Sequence, residues 1–443
     1  MAEVLTRPRG LVIAAPSSGS GKTTVALGLL AAFRQRGLAV QPFKTGPDYL
    51  DTGHHGRAAG RPSFNLDTWA MPETVVGQIV ASAGKNADLC IAEGVMGLFD
   101  GAGDQGLSGR GSTADLAALL GWPVVLVLDV SGQTETAAAL ALGCARYRSD
   151  VRVAGVILNQ VASERHEALI RPAFESIGTP VFGALRRADA IRLPERHLGL
   201  VQADEHADYM QRIAQLAALV EASLDLDAIR AAAGEAGIST RGTWGMRPPG
   251  QRIAVAHDAA FSFTYAHLFE GWRAAGAEIV FFSPLNDEAP PGDIDAVWLP
   301  GGYPELHAGK ITAASRFIAG LKLLAERSVP IHGECGGYMV LGRGLEDADG
   351  TRHAMVGLLP AETSFRTRKL HLGYRRATLR SDCLLGRKGA QIYGHEFHYA
   401  TLLSDDGEPL LELADASRAR VAAGSRVGSA TGSFFHLLSA SDA

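Results

Sequence analysis

Short apolar runs alternate with longer mixed stretches through the first half of the chain, and this pattern predicts a parallel α/β sheet. The runs are rich in aliphatic residues and bounded by Gly, Pro or Asp, as buried strands are. The predicted strands are Leu11–Ala15, Leu38–Phe43, Leu89–Ala92, Val124–Val130 and Val153–Leu158. Helical patterns lie between several of them, at Lys22–Arg36 and Thr134–Arg146. This alternation is typical of βαβ units whose sheet is covered on both faces.

The pattern breaks at residues 242–250, where two prolines and three glycines fall within nine residues and predict a linker. A helix-rich stretch near Leu216–Gly234 closes the part before it. After the linker a second α/β pattern begins, so the expected domains are residues 1–241 and residues 251–443. Its predicted strands are Arg252–Ala256, Glu278–Phe282, Ala296–Leu299 and Val329–His332.

The composition is that of a globular protein with several cores. At 443 residues the chain is too long for one ordinary domain. A net charge of −5 gives no reason to expect nucleic acid as a partner. Four scattered cysteines without metal-type pairing indicate free thiols in a reducing compartment. No apolar run is long enough to span a membrane, so we expect a cytoplasmic protein.

A phosphate-binding loop follows the first predicted strand. The consensus is Gly-x4-Gly-Lys-Ser/Thr, and Gly21-Lys22-Thr23 fits it, although Pro16 occupies the first glycine position. Backbone N–H groups of such a loop and of the following helix wrap phosphates. Lys22 is expected to reach the β- and γ-phosphates of ATP, and Thr23 to bind Mg²⁺. The predicted nucleotide-binding residues are Gly19, Ser20, Gly21, Lys22, Thr23, Thr24 and Asn159.

Carboxylates that could complete a Mg²⁺ site follow two other strands. Glu93 ends the strand Leu89–Ala92, at the edge where open α/β sheets bind ligands. Asp48 lies in a Gly-Pro-Asp sequence, which also favours a simple turn, so a metal role and a turn role both stay open. The amide of Asn159, at another strand end, either reads adenine or caps the strand.

The stretch Gly94–Gly111 holds seven glycines in 18 residues, together with Asp100 and Asp104. Loops of this length are usually functional or disordered. Its place directly after Glu93 suggests a lid or an acidic substrate clamp, with a solvated linker as the alternative.

A second chemistry is indicated by Cys335, which follows an apolar run and is flanked by Gly333, Gly336 and Gly337. This pattern predicts a sharp strand-to-helix turn that exposes a nucleophile, with a thiol pKa lowered by the helix N-terminus. The N–H groups of Gly336 and Gly302 are the candidate oxyanion donors. A buried small residue at a tight turn is the structural alternative.

Such a cysteine needs a base. His436 is the candidate, with His395 and His398 as competitors. A separate basic cluster could grip a polycarboxylate or form a solvated face. We define this basic cluster as Arg366, Arg368, Lys369, His371, Arg375 and Arg376.

Several motifs in this order resemble the cobyrinic acid a,c-diamide synthases, also called hydrogenobyrinic acid a,c-diamide synthases. The resemblance covers nearly the whole chain, and the order of the motifs is more specific than any one of them. The motifs are the phosphate loop, Lys44–Gly53, Glu93–Gly101, Leu193–Leu200, Pro300–Glu305, the Cys335 turn and Gly394–Tyr399.

The resemblance implies a dethiobiotin-synthetase-like P-loop domain with a parallel sheet, followed by an α/β class I-like glutamine amidotransferase domain. It implies ATP- and glutamine-dependent amidation of the a and c carboxylates of a corrin ring in cobalamin biosynthesis, through an acyl phosphate. The partners would be ATP, Mg²⁺, glutamine and a corrinoid polycarboxylate, with a homodimer left open.

By the same resemblance, Cys335 is the amidase nucleophile and His436 its base. Thr23, Asp48 and Glu93 correspond to metal or phosphate positions, and Asn159 to the adenine reader. Many related amidotransferases have a Glu two residues after the histidine, but this chain has Leu438, so a Cys–His dyad is expected. The residues on the corrin-carboxylate side are Asp48, Tyr49, Leu50 and Asp100.

Three alternative functions share parts of this pattern. Cobyric acid synthases and nickel-sirohydrochlorin a,c-diamide synthases carry the same two domains but act on other substrates. Partitioning-type P-loop ATPases carry a signature lysine where this chain has Ser17, and they lack the cysteine domain. Amide formation driven by ATP accounts for both halves of the chain.

Overall fold

The structure is a computed structural model that describes residues 7–187, 195–196, 199–200, 208–238, 242, 244–415 and 419–441. The chain forms two compact units, Met1–Thr243 and Trp244–Ala443. Each unit has a sheet and an apolar core of its own. Among the described helices, none is long and apolar enough to cross a membrane.

The first unit is built on a parallel sheet in the order β3-β2-β4-β1-β5-β6-β7. The short strand β10 pairs antiparallel with β1, and β8 pairs with β9 in a separate two-stranded sheet. The strands are β1 (Arg9–Ala14), β2 (Val40–Thr45), β3 (Phe64–Leu66), β4 (Leu89–Glu93), β5 (Val124–Asp129), β6 (Val153–Val161), β7 (Val181–Arg186), β8 (Glu195–Arg196), β9 (Gly199–Leu200) and β10 (Gly234–Glu235). The five predicted strands are confirmed, with ends that differ by up to three residues.

Helices follow most of these strands, as the alternating pattern predicted. They are α1 (Lys22–Gln35), α2 (Tyr49–Ala59), α3 (Glu73–Gly84), α4 (Thr113–Leu120), α5 (Thr136–Tyr147), α6 (Glu164–Ser176), α7 (Tyr209–Ser223) and α8 (Leu226–Ala232). The central strands β1, β2 and β4 are almost wholly buried, which explains the apolar runs of β1 and β4.

Strand β1 lies between β4 and β5. From β1 the chain continues to β2 on one side of the sheet, and from β5 it continues to β6 on the other side, so the strand order reverses between β1 and β5. Parallel strands end at one edge, and open α/β sheets bind ligands at such a switch point. The loop after β1, the turn after β2 and the last residue of β4 therefore share one edge of the sheet.

The second unit has a ten-stranded mixed sheet in the order β12-β11-β13-β14-β23-β22-β21-β18-β19-β24, and a four-stranded sheet in the order β16-β15-β17-β20. The strands are β11 (Arg252–Ala256), β12 (Glu278–Phe282), β13 (Ala296–Leu299), β14 (Ile331–Glu334), β15 (Gly344–Glu346), β16 (Arg352–Ala354), β17 (Glu362–Ser364), β18 (His371–Leu379), β19 (Gln391–His398), β20 (Thr401–Ser404), β21 (Glu408–Ala414), β22 (Arg420–Val427), β23 (Ala430–Ser433) and β24 (Phe435–Ala440). The helices are α9 (Ala266–Ala274), α10 (Ala308–Ala313), α11 (Ser315–Glu326) and α12 (Gly336–Leu341).

Three of the four strands predicted here are confirmed at both ends, and the fourth is displaced. The predicted strand Val329–His332 begins instead at Ile331. The N–H of Val329 bonds back to the carbonyl of Leu324 in α11, and Pro330 has no N–H to give to a sheet. The strand therefore starts only after the proline.

Candidate active sites of the two units

The phosphate loop joins β1 to α1, as predicted, and glycine shapes it at two positions. Gly19 has φ 78° and Gly21 has φ 88°, a region that favours glycine. A Cβ on Gly21 would clash with the side-chain amide of Asn159. That amide donates to the carbonyl of Ser20 at 2.9 Å. Asn159 thus reaches over from β6 and holds the loop, so its observed contact is with the loop backbone.

The side chain of Lys22 lies along this loop. Its Nζ donates to the carbonyl of Met96 at 2.5 Å and to that of Ser17 at 3.3 Å. Burial and the nearby ammonium of Lys44 lower the pKa of Lys22. The lysine is therefore held at the loop by carbonyl oxygens that a phosphate could replace.

Glu93 is the centre of a buried polar network at the end of β4. Its Oε1 accepts from Thr23 Oγ1 at 2.6 Å and from Lys44 Nζ at 3.0 Å. Its Oε2 lies 2.5 Å from Nε2 of His55. Lys44 also forms an ion pair with Asp51. The network orients one carboxylate beside the threonine of the phosphate loop.

Burial disfavours the charged forms of Lys44 and Glu93, but their ion pairs outweigh it. The carboxylates of Asp51 and Glu93 hold the pKa of Lys44 above its ordinary value. Lys44 and His55 hold the pKa of Glu93 well below its usual range. Glu93 is therefore ionised at neutral pH.

The donor set next to the phosphate loop suits a small, hard cation. A threonine hydroxyl and a carboxylate present oxygen atoms 2.6 Å apart, and such cations take oxygen ligands from one or two carboxylates, phosphates and water. Within the described part of the chain, no three His, Cys, Asp or Glu side chains gather into a metal-binding group.

Asp48 performs the turn role that its Gly-Pro-Asp sequence left open. It caps α2, and its Oδ1 accepts from the N–H groups of Leu50 at 2.8 Å and Asp51 at 3.2 Å. Burial and the nearby Asp51 raise the pKa of Asp48 to about 6. The predicted metal role of Asp48 stays a prediction. Tyr49 and Leu50 follow as the buried first turn of α2.

The glycine-rich stretch is packed in its second half rather than being a solvated linker throughout. Backbone N–H groups of Leu107 and Ser108 donate to the carbonyls of Trp69 and Thr68. Asp104 accepts from the indole N–H of Trp69 at 3.1 Å. Asp100 is exposed and accepts from the N–H of its own loop at Gly97. A carboxylate that points to solvent here suits the predicted substrate side.

In the second unit Cys335 lies on a strained turn between β14 and α12. Its φ of 45° is rare for a residue with a side chain. A Cβ on Gly333 would lie 2.6 Å from the carbonyl carbon of Gly337, so the turn requires glycine there. The N–H of Cys335 donates to Ser433 at 2.8 Å. The predicted strand-to-helix turn is thus present, but the thiol that it was expected to expose is buried.

The two predicted oxyanion donors lie beside one another. A Cβ on Gly336 would approach the backbone nitrogen of Gly302 to 2.9 Å. A Cβ on the adjacent Gly301 would approach Cε1 of His436 to 2.6 Å. The Gly301–Gly302 turn therefore contacts both the nucleophile turn and the predicted base.

His436 and its two competitors occupy different environments. His436 stacks on His395, with ring centroids 5.0 Å apart, and His395 Nε2 lies 2.5 Å from Tyr265 Oη. His398 stacks on Phe434 at 3.9 Å. Burial, and then the neighbouring His395, hold the pKa of His436 well below its usual value. His436 is therefore a neutral imidazole, the form that accepts a proton.

The expected depression of the Cys335 pKa is wrong. Burial, and then the carboxylate of Glu305, raise the pKa of the thiol, while the N–H of Gly336 only partly offsets them. The helix that follows has six residues, and its dipole is too small to outweigh the desolvation of a thiolate. The cysteine is therefore protonated at rest, and a nucleophilic role would require a base.

The basic cluster spans an exposed loop and the start of β18. Arg366, Arg368 and Lys369 are exposed. Arg375 donates from Nε to Glu396 at 2.7 Å, so its charge is already partly compensated. Of the motif Leu193–Leu200, the structure describes only the backbone pairing of β8 with β9; its other residues lie outside the described part of the chain.

Sequence reasoning missed several residues of these sites. Asp51 and His55 are four positions apart on α2 and so share one face of that helix, a spacing that pointed to a common partner. Lys44 lies in the Lys44–Gly53 motif, but the sequence assigned it no role. Glu334 and His267 also escaped notice, because their contacts join positions more than a hundred residues apart.

Two family models match the chain. Residues 11–201 match the CobQ/CobB/MinD/ParA nucleotide binding domain. Residues 252–443 match the CobB/CobQ-like glutamine amidotransferase domain. A protein of Rhodobacter capsulatus named hydrogenobyrinate a,c-diamide synthase is 56% identical over 97% of this chain and 99% of its own length. The chain belongs to the hydrogenobyrinate a,c-diamide synthase family.

Another relative of the same name, from Mesorhizobium japonicum, is 53% identical over 98% of this chain and 99% of its own length. The resemblance stated from the motifs is confirmed by these relatives. The α/β fold is confirmed as well, with a P-loop unit on a parallel sheet followed by a glutamine amidotransferase unit.

Proposed function

We propose that the protein uses ATP and glutamine to amidate the a and c carboxylates of hydrogenobyrinate, or of its cobalt form cobyrinate, in cobalamin biosynthesis. The family assignment supports this substrate. The observation that carries the reaction type is the coexistence of two sites in one chain, a phosphate loop beside an ionised carboxylate and a cysteine on a strained glycine turn.

Residues 1–241 form the ATP-dependent part of the proposal. The phosphate loop, with Lys22, holds the β- and γ-phosphates, and Asn159 of β6 reads adenine. The corrin carboxylate attacks the γ-phosphorus, which releases ADP and leaves an acyl phosphate. Ammonia then displaces phosphate to give the amide. Asp48, Tyr49, Leu50 and Asp100 are assigned to the corrin side.

Mg²⁺ belongs to the same proposal. Thr23 and Glu93 would hold it together with phosphate oxygens, and Asp48 is the further predicted carboxylate. When bound, the ion neutralises charge that develops on the transferred phosphoryl group. The ion pair of Glu93 with Lys44 and its contact with His55 keep the carboxylate ionised and oriented for that role.

Residues 251–443 supply ammonia. His436, neutral because it is buried, accepts the proton of Cys335 while the sulfur attacks the side-chain amide carbon of glutamine. The N–H groups of Gly336 and Gly302 stabilise the oxyanion. Ammonia leaves with a proton returned by His436, and water hydrolyses the thioester to glutamate. A Cys–His dyad suffices in this scheme because Leu438 stands at the position of the usual acid.

The direct test incubates the protein with ATP, Mg²⁺, glutamine and either metal-free or cobalt-containing corrin acid, and counts added amides by mass spectrometry. Two amides per corrin are expected. Addition of more than two amides would indicate a cobyric acid synthase activity. In a parallel incubation with nickel-sirohydrochlorin, amidation of that compound and not of the corrin acids would indicate a nickel-sirohydrochlorin a,c-diamide synthase.

Binding of the corrin should depend on the basic cluster, because a polycarboxylate must meet local cations in a protein of net charge −5. The double variant Arg366→Gln/Arg368→Gln should raise the corrin KM about tenfold or more, since hydrogen bonds to charged groups contribute about 1.5–3 kcal/mol. The effect should shrink at high salt. Steady-state kinetics with each substrate varied measures it.

A matched control is Arg316→Gln/Lys322→Gln, which makes the same charge change on exposed positions of α11. This control should leave all three KM values within about twofold of the parent. An unchanged corrin KM in the Arg366/Arg368 variant would show that the basic cluster is only a solvated face.

The proposal also covers the cellular location and the oligomeric state of the protein. All four cysteines are free thiols, which agrees with a cytoplasmic, reducing location. A homodimer stays a prediction, and sedimentation of the full chain measures it.

A further inference from the structure

The strand that carries His436 is irregular at that point. In the pairing of β19 with β24, Tyr393 lies opposite Ser439 but Gly394 lies opposite Leu437, so Leu438 is an extra residue in β24. Such a bulge disrupts the ladder and re-aims nearby side chains. Gly394 is required beside it, because a Cβ there would overlap the carbonyl of His436.

Buried side chains from outside the strand bind the backbone of this bulge. Oε1 of Glu334 accepts from the N–H of Leu437 at 3.0 Å. Nε2 of His267 lies 2.8 Å from the carbonyl oxygen of Leu438. Glu334 is 2% exposed and His267 is fully buried. These contacts satisfy backbone groups that a regular ladder would have paired.

Glu334 therefore links Cys335 and His436: it is bonded covalently to Cys335, and its side chain is hydrogen-bonded to Leu437, the residue after His436. It is the last residue of β14 and precedes Cys335 in the chain, while its carboxyl group holds the residue that follows His436. We propose that Glu334 is a positioning residue of the amidase, which fixes the backbone of His436 relative to Cys335 by accepting the N–H of Leu437. This inference rests on the proposed roles of Cys335 and His436.

The hydrogen bond, rather than the charge, carries this role. Burial raises the pKa of Glu334 to about 8, although the N–H of Leu437 and the side chain of Trp298 both favour the ionised form. An uncharged carboxyl group keeps a carbonyl oxygen that can accept the same bond. A negative charge beside Cys335 would also oppose thiolate formation. An uncharged side chain of equal length should thus still accept the N–H of Leu437.

Two substitutions of Glu334 separate the effect of side-chain length from the effect of charge. Glu334→Gln keeps the length and a carbonyl acceptor but cannot ionise, whereas Glu334→Asp keeps a group that can ionise and shortens the side chain by one methylene. We expect Glu334→Asp to lower the kcat of glutaminase about 10- to 100-fold, because a misplaced base loses much of its effect. The glutamine KM should stay within about twofold, and Glu334→Gln should stay within about threefold of the parent in kcat.

Thr431→Val is the matched control. Thr431 bonds His332 at 2.9 Å inside the same sheet, so its loss removes a buried hydrogen bond from β23 without touching β24. It should lower thermal stability and leave glutaminase kinetics near those of the parent. Amide formation with high ammonia in place of glutamine, together with the melting temperature, checks that each variant is folded.

Either of two results would overturn the inference: a Glu334→Asp variant with full kcat, or a Glu334→Gln variant whose kcat falls as far as that of Glu334→Asp. Cys335→Ala, measured alongside, distinguishes failure of the proposed function from failure of the positioning role. If it keeps glutaminase activity, the proposed function of this site fails; if it is inactive while Glu334→Asp is fully active, only the positioning role fails.

Discussion

Replacing Cys335 with alanine should abolish glutamine-dependent amidation and leave ammonia-dependent amidation intact. The sulfur is the atom expected to bond the amide carbon of glutamine, so its removal eliminates covalent catalysis rather than weakening it. A loss of at least about 10³-fold is expected, on the scale seen when a catalytic nucleophile is deleted. Mass spectrometry of the corrin product with glutamine and then with ammonium chloride measures both activities.

The control for this experiment is Cys383→Ala. Cys383 is also a free thiol of the second unit and is only half-buried, but it lies in a turn with Gly386 and outside the proposed site. Its variant should keep glutamine-dependent activity. Full glutamine-dependent activity in Cys335→Ala would refute the nucleophile assignment, and loss of ammonia-dependent activity as well would show a folding defect.

Nine strands of the two parallel regions could be predicted because most of them are short apolar runs, whereas β3, β7 and β23, which also pair in parallel, were missed. Arg252–Ala256 and Ala296–Leu299 agree at both ends with the structure. The antiparallel strands could not be predicted in the same way. Strand β18 is half-buried along most of its length and contains Gly373, and β22 exposes Val421. Neither a clean alternation nor an apolar run marks such strands.

The site residues likewise differ in how well the sequence predicted their geometry. The phosphate loop and the Cys335 turn are contiguous motifs, so their local geometry followed from glycine spacing and residue type. The contact of Thr23 with Glu93 joins residues 70 positions apart, and that of Glu334 with Leu437 joins residues 103 positions apart. Contacts of this range depend on the tertiary fold, which a residue pattern does not specify.

The pKa of Cys335 shows why reasoning from the local sequence can predict a pKa shift in the wrong direction. The sequence indicated a helix start, which favours a thiolate. The structure adds complete burial and the nearby carboxylate of Glu305, and both favour the thiol. A protonated thiol is a weak nucleophile, so the proposed reaction at Cys335 requires a base, the role proposed for His436.

Replacing Lys22 with alanine should remove ATP-dependent amidation from either nitrogen source. Lys22 is the lysine of the phosphate loop, and its ammonium group is held at the loop by the carbonyls of Ser17 and Met96. Loss of a cation that stabilises charge on the γ-phosphoryl group should lower kcat at least about 10²-fold. Phosphorus NMR of the reaction measures ADP and phosphate, the products that an acyl phosphate route requires.

The same variant should retain measurable glutaminase activity, because Cys335, His436 and the glycine donors all belong to the second unit. Lys85→Ala, which removes an exposed lysine of the first unit at the end of α3, is the control and should keep both activities. AMP and pyrophosphate as products of the unmodified enzyme would contradict the acyl phosphate. Undiminished ATP-dependent amidation in Lys22→Ala would contradict the role of the lysine, because the remaining loop N–H groups carry no net charge to offset that of the γ-phosphate.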